Sequence, residues 1–480
     1  MPTDDLTALD ACSLSQAIAR RELSAREVMQ ATLARIEALN PRVNALVSLL
    51  PHEPLLRQAD AHDAMLARGQ HLGWMHGMPM AIKELSAVAG LPLSLGSPLL
   101  AGQIAAHDSL MVARMKAAGG IVIGKSNVPE FGLGSHTYNK LFGTTLNPWD
   151  ITRSAGGSSG GAAVSLALRL QPVADGSDMM GSLRNPAAWN NVFGLRPSQG
   201  RVPYNPHAGD GYVALLGTEG PMGRSVRDVA MLLSVQAGYD ARQPLSIAQD
   251  GSAFAQPLRP KAQGLRIGWL ADLGGHLPFE RGIVELCEAA LRRFEALGAQ
   301  VEPLALGYSC DEIWRTWLTW RRFLVAGTLG PLGANPKTHA QLKPEAQWEY
   351  DQGQGLSGPQ VYAASSARTR YYRHMVGLFE RFDLLVLPSA QVWPFPAAWA
   401  WPREIAGRTM DTYHRWMEVV IYATLAGLPA ISVPVGFSDH GLPMGMQLIG
   451  PPLGDLALLN AAAAYETCIG DWLARRPPSA

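Results

Sequence analysis

Short apolar runs set between longer amphipathic stretches are the feature that most restricts how this chain can fold. Ile121–Ile123, Leu265–Leu270, Asp383–Leu387, Ile431–Val435 and Met446–Ile449 read as buried strands. Met78, Met80 and Ile82 alternate as in a half-buried strand that ends at Lys83. Between such runs lie helical patterns, of which Arg281–Leu297 is the clearest. Ser13-x-x-Gln16 and Ser24-x-x-Glu27 have the form of capping boxes. The second opens a helix with Met29, Leu33 and Ile36 on one face, stopped by Asn40-Pro41. Asp108 is expected to cap a helix that closes at Gly119-Gly120. Strands alternating with helices predict an α/β fold, a large mixed and mostly parallel β-sheet covered by helices on both faces.

Charge and cysteine content narrow the function. Forty basic against forty acidic side chains leave no net charge, which argues against electrostatic binding to nucleic acid or an anionic membrane. The four cysteines are far apart and without C-x-x-C spacing, so neither a disulfide scaffold nor a zinc ribbon is expected, and a reducing compartment fits. The apolar tracts around 383–402 and 422–437 are broken by prolines, and the N-terminus lacks the pattern of a secretory signal. A cytoplasmic protein is the expectation. The 236–260 stretch has linker composition, but strands on both sides are assigned to one sheet, so residues 1–480 are taken as one domain.

Two motifs mislead. Gly119–Ser126 satisfies G-x-x-x-x-G-K-[ST], yet its intervening residues form a strand after a helix, the reverse of a phosphate-binding loop. Gly157-Ser158-Ser159-Gly160-Gly161 satisfies G-x-S-x-G, but the preceding residues make a poor strand, and a nucleophile elbow needs one. The 12 histidines are scattered with no H-E-x-x-H pair, so no metal is expected.

Three other elements carry chemistry. Ser154–Ala163 is a Gly/Ser loop feeding a helix through Val164–Leu170, and Gly176–Pro186 is a second loop of small residues. Lys83 is one of only seven lysines among the 40 basic residues and follows the apolar Met80-Ala81-Ile82. Burial there would disfavour the ammonium and make a neutral amine available as a base.

These segments resemble the amidase signature family. Gly77–Glu84 is similar to its lysine strand, Gly124–Phe131 and Phe142–Asp150 to its connecting segments, and Gly156–Gly161 and Gly181–Arg184 to its core motifs. The spacing of 24 from Ser158 to Ser182 also matches. Weaker similarity continues through Gly220–Asp228, Ala426–Pro434 and Gly441–Ile449. The single domain then divides into N-terminal helices (1–70), a signature core (71–235), a less family-like segment (239–382) and a part completing the sheet (383–480).

The resemblance implies Ser182 as nucleophile, Ser158 as bridging serine after a cis Gly157–Ser158 peptide, and Lys83 as base. Backbone N–H groups of Met179, Met180, Gly181 and Ser182 are expected to hold the oxyanion. Asp178, Arg184, Ser159 and Gly157 are expected to support the loops. No cofactor is implied. One departure is Met180, where the family has glycine; a left-handed backbone there would cost about 1–2 kcal/mol.

Aromatic residues concentrate in the less family-like parts. Trp314, Trp317, Trp320 and Phe323 recur along a helix and read as core or as pocket, while Trp393, Phe395, Trp399 and Trp401 occupy a proline-rich loop. Trp393, Trp399 and Trp401, together with Asn127, are candidate substrate contacts. An apolar or aryl substrate is expected, an anilide, arylamide, hydrophobic amide, ester or carbamate, with water as acyl acceptor. No direct nucleic-acid or membrane contact is expected, and a homodimer is left open. The alternatives are the glutaminase subunit of a tRNA-dependent amidotransferase and a catalytically inactive scaffold.

Overall fold

The computed structural model describes residues 3–204, 210–213 and 215–478. Helix α1 (Ala25–Val43) opens on the expected capping box, with Ser24 and Glu27 each accepting from the other's backbone N–H. Ser13 instead lies inside the helix Ala11–Ala19, which Asp10 caps by accepting from Ser13 N at 2.7 Å. Asn40-Pro41 does not stop α1. Pro41 sits in its last turn, where few ladder bonds remain to be lost, and the helix ends at Asn44 with φ of 52°.

Strands β1 (Leu46–Val47), β2 (Pro79–Lys83) and β3 (Ile121–Ser126) form a small sheet in which β2 and β3 are parallel. Every residue of β2 and β3 is buried, so the alternation in β2 reflects two covered faces and not one. Helix α2 (Leu110–Ala117) precedes β3, the order opposite to that of a phosphate-binding loop, but Ser109 caps it. Asp108 instead accepts from Ala89 N and Lys116. Asp150–Ser154, read above as a poor strand, pairs with Leu146–Asn147. Local turns build this hairpin, with Asn147 accepting from Trp149 N and Asp150 from Thr152 N. Helix α3 (Gly160–Ala167) follows.

The large sheet uses β4 (Ala174–Asp178), β5 (Phe193–Arg196), β6 (Thr218–Gly223), β7 (Arg266–Trp269), β8 (Gln300–Pro303), β9 (Leu384–Pro388), β10 (Ala430–Phe437) and β11 (Pro443–Ile449). Their order is β8-β7-β9-β11-β10-β5-β6-β4. The sheet is mixed, but the mostly parallel expectation fails: only β7 pairs in parallel, with β8 and β9. The remaining neighbours are antiparallel. Connection length explains this. Helix α5 (Ile283–Ala296) provides the crossover that parallel β7 and β8 need, whereas β10 and β11 are joined by the short turn 438–442. Helix α4 (Arg184–Asn190) lies between β4 and β5. All of β9 and β11 is buried, so helices and loops cover both faces. The strands before and after 236–260 meet where β5 pairs with β10.

Helix α6 (Cys310–Ala334) packs on α7 (Pro344–Gln354) and α8 (Gly358–Leu378). Trp314, Trp317 and Trp320 point into the main core, while Phe323 is partly exposed. Among the described residues no helix is long and apolar enough to cross a membrane.

Candidate active site

Strand β2 delivers Lys83 to the junction of the two sheets. Its backbone N–H donates to both carboxylate oxygens of Asp175 on β4, at 3.1 and 3.2 Å. The side chain is wholly buried, and Nζ lies 2.8 Å from Ser158 Oγ, 2.7 Å from Ser159 Oγ and 3.0 Å from Ser177 Oγ. Burial pushes the amine down to about 7, against the opposing pull of Asp175, Asp178 and Glu219. Burial likewise raises Asp175 to about 6 and Glu219 to about 8.

Ser158 and Ser159 precede α3, and the Gly157–Ser158 peptide is cis. Ser159 lies at the apex of the G-x-S-x-G sequence and has a strand upstream after all. It is nevertheless buried against Lys83, the opposite of the exposed serine that an elbow presents. Ser182 sits between β4 and α4, and its carbonyl accepts from Ser159 N at 3.2 Å. Ser158 and Ser182 line one cavity of about 220 Å³ with Met179, Met180, Glu219 and Arg321. Lys83 and Ser158 are hydrogen-bonded, whereas no hydrogen bond joins Ser158 Oγ to Ser182 Oγ.

The turn before Ser182 is organised by a buried ion pair. Asp178 accepts from Arg184 Nε at 3.0 Å and Nη2 at 2.9 Å, and from the backbone N–H of Gly181 and Leu183. Arg184 also reaches Val420 O, Thr424 and Gln447. Burial alone would raise Asp178, but Arg184 and Arg196 hold its carboxyl well below the usual carboxylate range. The Gly181 N–H is thus committed to Asp178, while those of Met179, Met180 and Ser182 have no protein acceptor among the described residues. The left-handed position is Gly181, with φ of +80°, and Met180 lies outside that region. Methionine at 180 therefore brings no left-handed backbone strain.

The other candidate substrate contacts lie elsewhere. Asn127 is buried and bonded to Gly143 O, Thr145 and Asn139. Trp393 and Trp399 line a separate cleft of about 870 Å³, and Trp401 stacks on Arg403 at 3.5 Å. The proline-rich segment is held outward because it runs along the Asp150–Ser154 strand, with Ser154 N bonded to Phe395 O and Ala397 N to Thr152 O. The cavity wall comes instead from α6, through Arg321, Leu324, Val325, Thr328 and Leu329. These fall at i, i+3, i+4, i+7 and i+8, a second helical face that the tryptophan stripe obscured.

The Amidase family profile matches residues 27–459. The chain is 32% identical to an acylamidase of Rhodococcus erythropolis, over 99% of this chain and 98% of that one. It is 33% identical to a glutamyl-tRNA(Gln) amidotransferase component of Synechococcus sp. (strain JA-3-3Ab), over 97% and 93%. Among solved structures, a bacterial aryl acylamidase of the amidase signature family superposes with a TM-score of 0.88 at 31% identity, covering 98% of this chain and 99% of that one.

Proposed function

Because the chain belongs to the amidase signature family and hydrolyses amide C–N bonds, we propose that Ser182 is acylated, with Lys83 as base acting through Ser158. The observation that carries this reading is a buried, weakly basic Lys83 hydrogen-bonded to Ser158 in the cavity that Ser182 lines. A serine hydroxyl is a weak nucleophile and must lose its proton during attack. Ser158 passes that proton to the neutral amine, and the relay returns it to the departing nitrogen, a role typically worth ~10²–10⁴ in rate. Closing the Ser158–Ser182 link is the step that substrate binding has to complete. The N–H groups of Met179, Met180 and Ser182 are the donors left for the tetrahedral oxyanion. Water then hydrolyses the acyl-enzyme.

The substrate class that fits is a hydrophobic or aryl amide, extending to carbamates and esters. Leu85, Phe131, Leu133, Leu324 and Leu329 line the cavity, and the similarity to acylamidases points the same way. The glutaminase reading draws on a similarity of equal size. Labelling with a fluorophosphonate tests the nucleophile: wild type reacts and Ser182→Ala does not, whereas equal labelling of both overturns the assignment. Hydrolysis of an acyl-anilide by the purified chain alone, with glutamine a poor substrate, supports the acylamidase reading; the reverse preference supports the glutaminase.

A further inference from the structure

The face that α6 turns to the cavity is apolar except for Thr328 and one charged group, Arg321, which is 3% exposed. Two arms of its guanidinium are fixed. Nε donates to Glu349 at 2.5 Å and Nη2 to Tyr413 Oη at 2.6 Å, and Tyr413 in turn donates to Glu349 at 2.7 Å. Among the described residues the third arm, Nη1, hydrogen-bonds only to the thioether of Met179, at 3.5 Å. A thioether is a weak acceptor, and a buried guanidinium N–H without an oxygen partner is destabilising. With Nε and Nη2 locked, the direction of Nη1 is locked too, so the donor is pre-organised and not a side chain free to swing elsewhere. Met179 is the flexible member of the pair and belongs to the turn that precedes Ser182.

We infer that Arg321 Nη1 binds an oxygen acceptor on the non-reacting end of the substrate, so that the enzyme prefers amides carrying a remote carbonyl or carboxylate oxygen over hydrocarbon ones of equal size. This rests on the Ser182 reading above. Displacement of the Met179 sulfur by an oxygen satisfies a buried donor that a hydrocarbon substrate leaves unpaired, and that difference is what produces selectivity. Glu349 already sits against the guanidinium, so a neutral carbonyl oxygen suffices and a full negative charge is not required.

The test uses two matched series of plain anilides, with aniline release followed chromatographically because a nitro group would itself be an acceptor. One series varies the acyl end (butyryl, monomethyl succinyl, succinyl) and the other the amine end (aniline, methyl 4-aminobenzoate, 4-aminobenzoate as butyramides). In at least one series the acceptor-bearing members show kcat/KM about tenfold or more above the parent, mostly through KM. The ester and carboxylate arms show whether charge adds to the effect. In Arg321→Met/Glu349→Gln, which removes both charges together, the ratio collapses toward one, and in Arg321→Lys, which keeps the charge but not the fork, it is intermediate. A wild-type ratio near one in both series, or a preference that survives both variants, overturns the inference while leaving the amidase reading intact. Absence of hydrolysis of every anilide, together with no fluorophosphonate labelling, overturns both.

Discussion

At Lys83 the pH dependence of the enzyme is set by burial. Its amine lies near 7, and only the neutral form accepts a proton, so kcat/KM rises with pH through about 7 and then levels, measured on a plain acyl-anilide. Asp175, raised only to about 6, is ionised at that pH and favours the ammonium form, so Asp175→Asn moves that limb to lower pH; an unmoved or upward-shifted limb contradicts the electrostatic account. The two residues before Ser182 respond oppositely. A Cβ at Gly181 would stand 2.8 Å from the Val420 methyls on a left-handed backbone. Gly181→Ala therefore combines strain of about 1–2 kcal/mol with overpacking of about 1–3 kcal/mol, read in urea unfolding. Met180→Gly relieves no such strain, and its cost is that of an emptied methionine site. Which of these two positions is left-handed was not legible in the sequence, because that depends on how the turn is held by Asp178.

Elements place these residues through a few buried contacts. The turn between β4 and α4 keeps its shape because Asp178 binds Arg184 and two amides at once. Asp178→Asn leaves Arg184 without its anionic partner and is expected to cost about 3–5 kcal/mol, seen as a lower Tm together with a lower kcat. Ser24→Ala, at a cap that does not line the cavity, is expected to cost about 1 kcal/mol with kcat unchanged. Strands β3, β7, β9, β10 and β11 were legible from their apolar runs, each shifted by at most a few residues at its ends, whereas β4, β5, β6 and β8 of the large sheet were not read. The cavity face of α6 was not. The helix is apolar on two sides, and periodicity alone does not say which side meets the core and which meets the substrate.

Across the molecule the site depends on sequence-distant parts: Lys83 from the small sheet, Ser182 after β4, and Arg321 from α6. The same holds for the large sheet, where β5 from the first half pairs with β10 from the second. A fragment ending near residue 240 leaves that β5 edge bare, so it is expected to lack a cooperative unfolding transition and native near-UV circular dichroism; a fragment that unfolds cooperatively refutes this. The strand-and-helix pattern was readable from local spacing and composition, and the family resemblance, carried by short motifs, implied the three residues of the proposed relay. Folding in three dimensions was needed to establish that the sheet is largely antiparallel, that Gly181 is bound to Asp178, that the loop tryptophans face another cleft and that Arg321 faces the cavity. Strand direction follows from the paths of distant connections, and the walls of a cavity are chosen by whichever surfaces pack together, which no local run of residues encodes.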